Sequence, residues 1–328
     1  MNTYSSIGGN MLKKNNPQNQ ASANKHSTKN AKLSYILKNY QLYLLILPGI
    51  ILLLLFKYVP MYGLLIAFKK YNVLKGVMGS EWVGLAHFNR FLTMESFKDL
   101  FMNTFTLSIY GLIFGFGFPI LIALLLNQIR YTGLKNNIQL ILYAPNFIST
   151  VVVVGMIFIF FAPNGPINGI LAQIGIEPIM FMTESNWFQP LYISTGIWQS
   201  AGWGSVIYLA ALSNVDPQLH EAAKIDGANI LQRIRHIEIP TILPVASILL
   251  ILSVGGIMAL GHEKAYIMQT TMNMSKAEIL ATYVYKIGLQ AGDYSFSTAV
   301  GLFNSIINLF LLVSVNFVVK KFNKSSGL

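Results

Sequence analysis

Glu221, Ala222, Ala223, Lys224, Ile225, Asp226 and Gly227 form a polar stretch between two apolar runs, and the chemistry their types and spacing permit is docking, not bond making. Asp216-Pro217 just ahead is a helix start, with aspartate able to cap the first free N–H groups and proline at the position where its missing N–H costs nothing. Gly227 permits a sharp break or a close backbone approach. Arg233, Arg235, His236 and Glu238 then keep the chain polar up to Pro240, where the next apolar run begins. The pattern predicts a short helix over Glu221 to Arg235 that lies along a membrane face and inserts into a partner protein.

Other reactive constellations are missing. His262-Glu263 opens like the first half of a zinc-protease helix, but Tyr266 stands where the second histidine is required. His26, His87, His220 and His236 are too far apart in sequence to give metal-ligand spacing. There is no Gly-rich phosphate loop ending in Gly-Lys-Ser/Thr, no Gly-x-Ser-x-Gly turn and no cysteine. No catalytic residue, metal or cofactor is therefore expected, and ATP hydrolysis, if the chain depends on it, belongs to another subunit.

The elements that must position the polar stretch follow from composition. Hydrophobic residues make up 54% of the 328 residues and charged residues 11%, whereas soluble domains carry about a quarter charged. Apolar runs of roughly spanning length lie at about 40 to 59, 104 to 127, 138 to 161, 190 to 213, 240 to 261 and 299 to 319. The expected fold is an all-α polytopic membrane protein of about six transmembrane helices. None of these runs carries an acidic residue, which argues against a proton-coupled pump. Residues 1 to 33, rich in Asn, Lys, Ser and Gln, read as a disordered tail. The loops 128 to 137 and 214 to 238 carry Lys and Arg and the loop 162 to 186 has neither, so both termini are expected to be cytoplasmic. The net charge of +11 is spread over loops and tails beside apolar spans. Its counter-charge is expected to be membrane lipid, not nucleic acid.

Glu-Ala-Ala, three residues, Gly, nine residues, Ile, one residue and Leu-Pro is the EAA loop of binding-protein-dependent ABC importer permeases. This chain resembles it at every fixed position except the leucine, which is Ile239. Ala228 completes Glu-Ala-Ala-x-Ile-Asp-Gly-Ala, similar to the carbohydrate-uptake branch of that family. Pro60-Met61-Tyr62-Gly63, Ala67-Phe68-Lys69-Lys70-Tyr71, Trp82-Val83-Gly84-Leu85 and Phe88 resemble the first external segment of its polysaccharide and oligosaccharide permeases, the maltose/alginate type.

The resemblance implies a transmembrane domain over 34 to 328, with the EAA loop at about 216 to 240, in the bacterial cytoplasmic membrane. It implies ATP-binding cassette ATPase subunits that receive Glu221, Ala222, Ala223, Asp226, Gly227, Arg233 and Pro240. A solute-binding protein outside the membrane and a second homologous permease, in a heterodimer in preference to a homodimer, complete the expected assembly. The solute would be an oligosaccharide or polysaccharide fragment. An importer of a non-sugar solute and a stand-alone channel or membrane enzyme are the alternatives.

An uncharged saccharide asks for aromatic faces and amide or hydroxyl groups, with no ionised side chain. Trp198 and Trp203 in the fourth run, and Asn304 and Asn308 four residues apart in the sixth, are the candidates for lining its path. The two asparagines serve equally well as hydrogen bonds between helices. Gly111 and Gly115 in the second run form a small-xxx-small pair that predicts close helix packing.

Overall fold

The computed structural model describes residues 38–258 and 260–322. The tail expected over 1 to 33 and both chain ends lie outside the described residues. The described chain separates into two compact units, one ending at Gly63 and the other beginning at Leu64. The first unit holds the Tyr40–Gly63 part of helix α1 (Tyr40–Phe68), and every side chain from Tyr40 to Tyr62 is exposed. It contains a π turn, Leu54–Tyr58, that ends two residues before Pro60. A proline ring in a regular helix clashes with the carbonyl four residues back, and the extra residue of a π turn displaces that carbonyl.

In the second unit the last residues of α1, Leu64 to Phe68, are followed by β1 (Lys69–Lys70) and β2 (Glu81–Trp82), paired antiparallel with Lys69 opposite Trp82. Helices α2 (Ala86–Thr93), α3 (Phe97–Gln128), α4 (Thr132–Tyr143), α5 (Thr150–Phe160), α6 (Ser185–Leu212), α7 (Pro217–Ile225), α8 (Ile230–Gly255), α9 (His262–Met268), α10 (Leu280–Tyr285) and α11 (Tyr294–Phe322) follow. Helices α1, α3, α8 and α11 are long and apolar enough to cross a membrane. Helix α6 has the length, 28 residues, but its Trp, Gln, Ser and Gly content takes it out of that apolar class.

Two expected spans are revised. The run at 138 to 161 is not one helix: α4 with its 3₁₀ extension to Phe147 meets α5 at an angle of 101°. Pro145 cannot continue the helical ladder, and Ser149 starts a new helix by accepting a hydrogen bond from Val152 N–H. The run expected at 240 to 261 begins ten residues earlier, because α8 passes straight through Pro240 from Ile230. A second π turn, Ile234–Glu238, again ends two residues before the proline.

Helix α3 carries the core. Leu107 packs with Val153, Val154 and Ile157 of α5 and Phe188 and Leu191 of α6. Leu100 joins Phe91 of α2, Leu280 of α10 and Phe296 and Val300 of α11, while Ala123 and Leu124 join Tyr208 of α6 and Ile242 of α8. Polar pins add direction to this packing. The buried Asn103 amide donates to the carbonyls of Ser275 and Glu278, and the Thr104 hydroxyl accepts from Leu280 N–H at 2.8 Å.

Gly111 and Gly115 do not make the close helix contact that their spacing predicts. They line a cavity of about 440 Å³ with Ser108, Pro119, Tyr208 and Ser253, and a Cβ on either meets nothing within 4 Å. The close approaches belong to Gly202, where an added Cβ would collide with the Leu142 carbonyl oxygen, and to Gly204, where one would lie 3.1 Å from Pro119 Cγ. Gly202→Ala should therefore lower stability by about 1–3 kcal/mol through overpacking. Gly111→Ala should leave it unchanged or raised by up to about 1 kcal/mol through helix propensity. Thermal melting of the two purified variants checks the order, and the reverse order would contradict the assigned contacts.

Candidate functional site

The polar stretch folds as two helices joined by a tight reversal. Asp216 adopts extended backbone angles and its carboxylate accepts from Gln218 N–H at 2.9 Å, with Pro217 as the first helical residue of α7. At the other end Gly227 has φ +79°, Gly227 N–H donates to the Lys224 carbonyl and Ala228 N–H to the Ala223 carbonyl. This is the Schellman arrangement, which requires a left-handed residue after the helix. Nothing lies within 4 Å of a Cβ built on Gly227, so backbone conformation and not space demands glycine there. Asn229 then opens α8 with a capping box, accepting from Gln232 N–H at 2.9 Å while its own N–H donates to the Gln232 side chain at 2.7 Å.

The helix expected over Glu221 to Arg235 is thus α7 plus the first turn of α8, with the break at Gly227. Glu221, Ala222, Asp226 and Gly227 are exposed and Ala223 is half-buried. Arg233 sits beyond the reversal and Pro240 nearly three turns into α8, so the structure spreads the seven residues over both helices. Around the reversal stand bare apolar side chains: Ile225 is 86% exposed and Leu231 75%.

Beneath α7 lies a carboxylate that the motif does not mark. Glu238 is 1% exposed. Both of its oxygens accept from Gln128 Nε2 at the end of α3, at 2.8 and 3.0 Å, and His220 Nε2 of α7 stands 4.0 Å away. Glu238 therefore ties the docking helix, α3 and α8 together at one point. A polar cavity of about 350 Å³ opens beside it, lined by Gln128, Arg130, His220, Glu221, Lys224 and Arg233 among others. The signal was present in the sequence: Glu238 follows Ile234 and precedes Ile242 and Ala246 at four-residue steps, so it shares their inward face.

The four residues proposed for a solute path divide into two groups. Trp198 and Trp203 are 47% and 49% exposed on α6. Trp203 meets Phe147 and Tyr143 edge to face, with ring centroids 5.6 and 6.2 Å apart. Asn304 and Asn308 of α11 turn to the backbone that follows α8: Asn304 Nδ2 donates to the Met258 carbonyl at 3.1 Å, and Asn308 Oδ1 accepts from Met258 N–H at 2.8 Å. The asparagines thus bridge helices, while the tryptophans face outward.

Residues 111–325 match the family described as binding-protein-dependent transport system inner membrane component. The chain is 46% identical over 301 residues to the polygalacturonan/rhamnogalacturonan transport system permease protein YteP of Bacillus subtilis (strain 168), covering 92% of this chain and 94% of that protein. It is 42% identical over 284 residues to Protein LplB of the same organism, covering 86% and 89%. A crystal structure of a bacterial ABC transporter involved in the import of the acidic polysaccharide alginate contains a chain that superposes with a TM-score of 0.82. That chain is 36% identical, and the match covers 89% of this chain and 99% of the other. A bacterial alginate ABC transporter in complex with an alginate pentasaccharide-bound periplasmic protein gives 0.83 at the same identity.

The Glu238 junction makes a stability prediction. Gln128→Leu strips the donor from a buried carboxylate and should cost about 3–5 kcal/mol. The double change Gln128→Leu with Glu238→Leu should recover most of that loss, because a buried polar pair replaced by apolar groups is nearly neutral. Melting of the two variants measures the coupling; a double variant no better than the single one would mean that the pair is not the link.

Proposed function

Because the chain belongs to the family of binding-protein-dependent transport system inner membrane components, we propose that ATPase subunits bind it at the α7–α8 reversal and drive saccharide import. It is a multi-pass membrane permease of the carbohydrate ABC importers, as its identity to YteP and its likeness to the alginate importer chain support. The carrying observation is the reversal itself. A Schellman stop and a capping box fix its shape, while Ile225 and Leu231 stand bare beside Glu221, Ala222, Ala223 and Asp226. A rigid, charged and apolar knob of this kind fits a cleft in a soluble subunit better than it fits lipid or water alone.

The rest of the assembly follows from that reading. ATP hydrolysis resides on separate ATP-binding cassette subunits, since the chain has no phosphate loop of its own. A solute-binding protein delivers the sugar from outside, and a second, related but distinct permease completes the path. The exposed apolar side chains of α1 and the outer faces of α3 and α11 serve lipid and that second permease. Placing the reversal in the cytoplasm puts both termini there as well, with residues 1 to 33 as a tail ahead of a single transmembrane domain.

Single cysteines report cleanly in a chain with none of its own. Cysteines replacing Ala222 or Ile225 should crosslink to the ATPase in the assembled complex, and Gly227→Val should abolish uptake while the permease still inserts. Protection of both positions by lipid alone would remove the docking assignment. For topology, a cysteine at Gly175 should react with an impermeant reagent in intact cells, and one at Ser326 should not. The opposite pattern would invert the orientation.

A further inference from the structure

Among the described residues Lys264 has no counter-ion. It lies on the short helix α9, half-buried, and its Nζ donates to the Tyr192 carbonyl of α6 at 2.9 Å while standing 4.9 Å from the centre of the Tyr192 ring. An ammonium offers three donors, and among the described residues no other acceptor and no carboxylate meets the remaining two. Two other cations are treated differently. Arg90 pairs with Asp293 at 2.8 Å and Lys286 with Glu278 at 2.9 Å. Burial pushes the Lys264 ammonium down to about 8, a cost of desolvation that no acidic side chain offsets.

What Lys264 faces is a helix surface suited to a sugar. Its Nζ would lie 3.5 Å from a Cβ on Gly196, so the missing side chain there leaves the ammonium accessible from the α6 surface. Gly196, Ser200 and Trp203 follow at steps of four and three, which places them on one face, and both Ser200 and Trp203 are exposed. The Ser200 hydroxyl donates back to the Gly196 carbonyl at 2.8 Å, which leaves its oxygen free to accept. A cation, a hydroxyl acceptor and an indole in line match a carboxylate, a ring hydroxyl and the C–H face of a pyranose. The uncharged solute expected from the spans overlooked this lysine because it lies on a short helix outside them.

We propose that Lys264 reads the carboxylate of the carried saccharide, and that the substrate class is oligosaccharides containing uronic acid units; this rests on the carbohydrate-import reading above. Lys264 is a specificity residue at one end of an α6 strip that ends at Trp203. Each uronate passing it exchanges water for a charge-assisted hydrogen bond in a site where the ammonium is already partly desolvated.

The test uses the complete complex, with its ATPase subunits and binding protein, in proteoliposomes at matched permease abundance. Uptake of a labelled galacturonic acid oligomer is compared with that of the galactose oligomer of the same length. Lys264→Gln keeps an N–H donor for the Tyr192 carbonyl and removes the charge; it should raise the KM for the acidic oligomer about tenfold or more and leave the neutral one unaffected. Lys264→Arg should stay within about twofold of the wild type for both. An unchanged KM for the acidic oligomer in Lys264→Gln, or an equal loss for both sugars, overturns the assignment. A wild-type complex that imports only the neutral oligomer overturns the acidic substrate and leaves carbohydrate import standing, whereas import of neither sugar overturns both readings.

Discussion

Every backbone N–H and C=O of a chain in hydrocarbon must find a partner within the protein, since water is absent and an unpaired group costs several kcal/mol. Long helices satisfy this rule by themselves. At three places in the second unit helices stop or bend, two of them beside apolar runs and the third at the exposed α7–α8 reversal, and each is closed by named residues. At the α4–α5 bend, Gln199 donates to the Ile148 carbonyl and Ser149 caps the new helix. After α8, Asn304 and Asn308 take both backbone groups of Met258. At the α7–α8 reversal, Gly227, Asn229 and Gln232 do the same work through a Schellman stop and a capping box.

These closures explain why polar residues gather on α6 and α11 without requiring that all of them touch solute. Gln199 and the two asparagines are engaged with backbone, and their loss would open a helix end before it altered recognition. The groups left free on α6, the indoles of Trp198 and Trp203 and the Ser200 oxygen, are the ones with capacity for a ligand. Burial divides the residues in the same way: the engaged amides are half-buried, and the free groups are exposed.

The sequence showed where apolar runs lie, that the EAA stretch is polar and capped, and that Gly227 breaks it, because each of these is a local property of residue type and spacing. It could not show that α8 continues through Pro240, since the accommodating π turn of Ile234–Glu238 leaves no mark in composition. Nor did it separate Gly111, which lines a cavity, from Gly202, which meets a neighbouring backbone. Two glycines of identical propensity differ only in what the fold brings opposite them. Glu238 and Lys264 were visible as charges, but their burial beside Gln128 and Tyr192 depends on contacts more than 70 residues apart in sequence.

The continuity of α8 gives the molecule a lever. Twenty-six residues in one helix reach about 39 Å at 1.5 Å per residue, and Glu238, held by Gln128, lies roughly a third of the way along. The short arm ends at the reversal near Gly227 and the long arm at the Met258 turn gripped by α11. With that fulcrum fixed, a tilt of about 10° carries the far end through roughly 4 Å, more than twice the shift of the near end. A small push at the rim of the protein thus arrives enlarged at the asparagine pair, where the helix ladder is already interrupted.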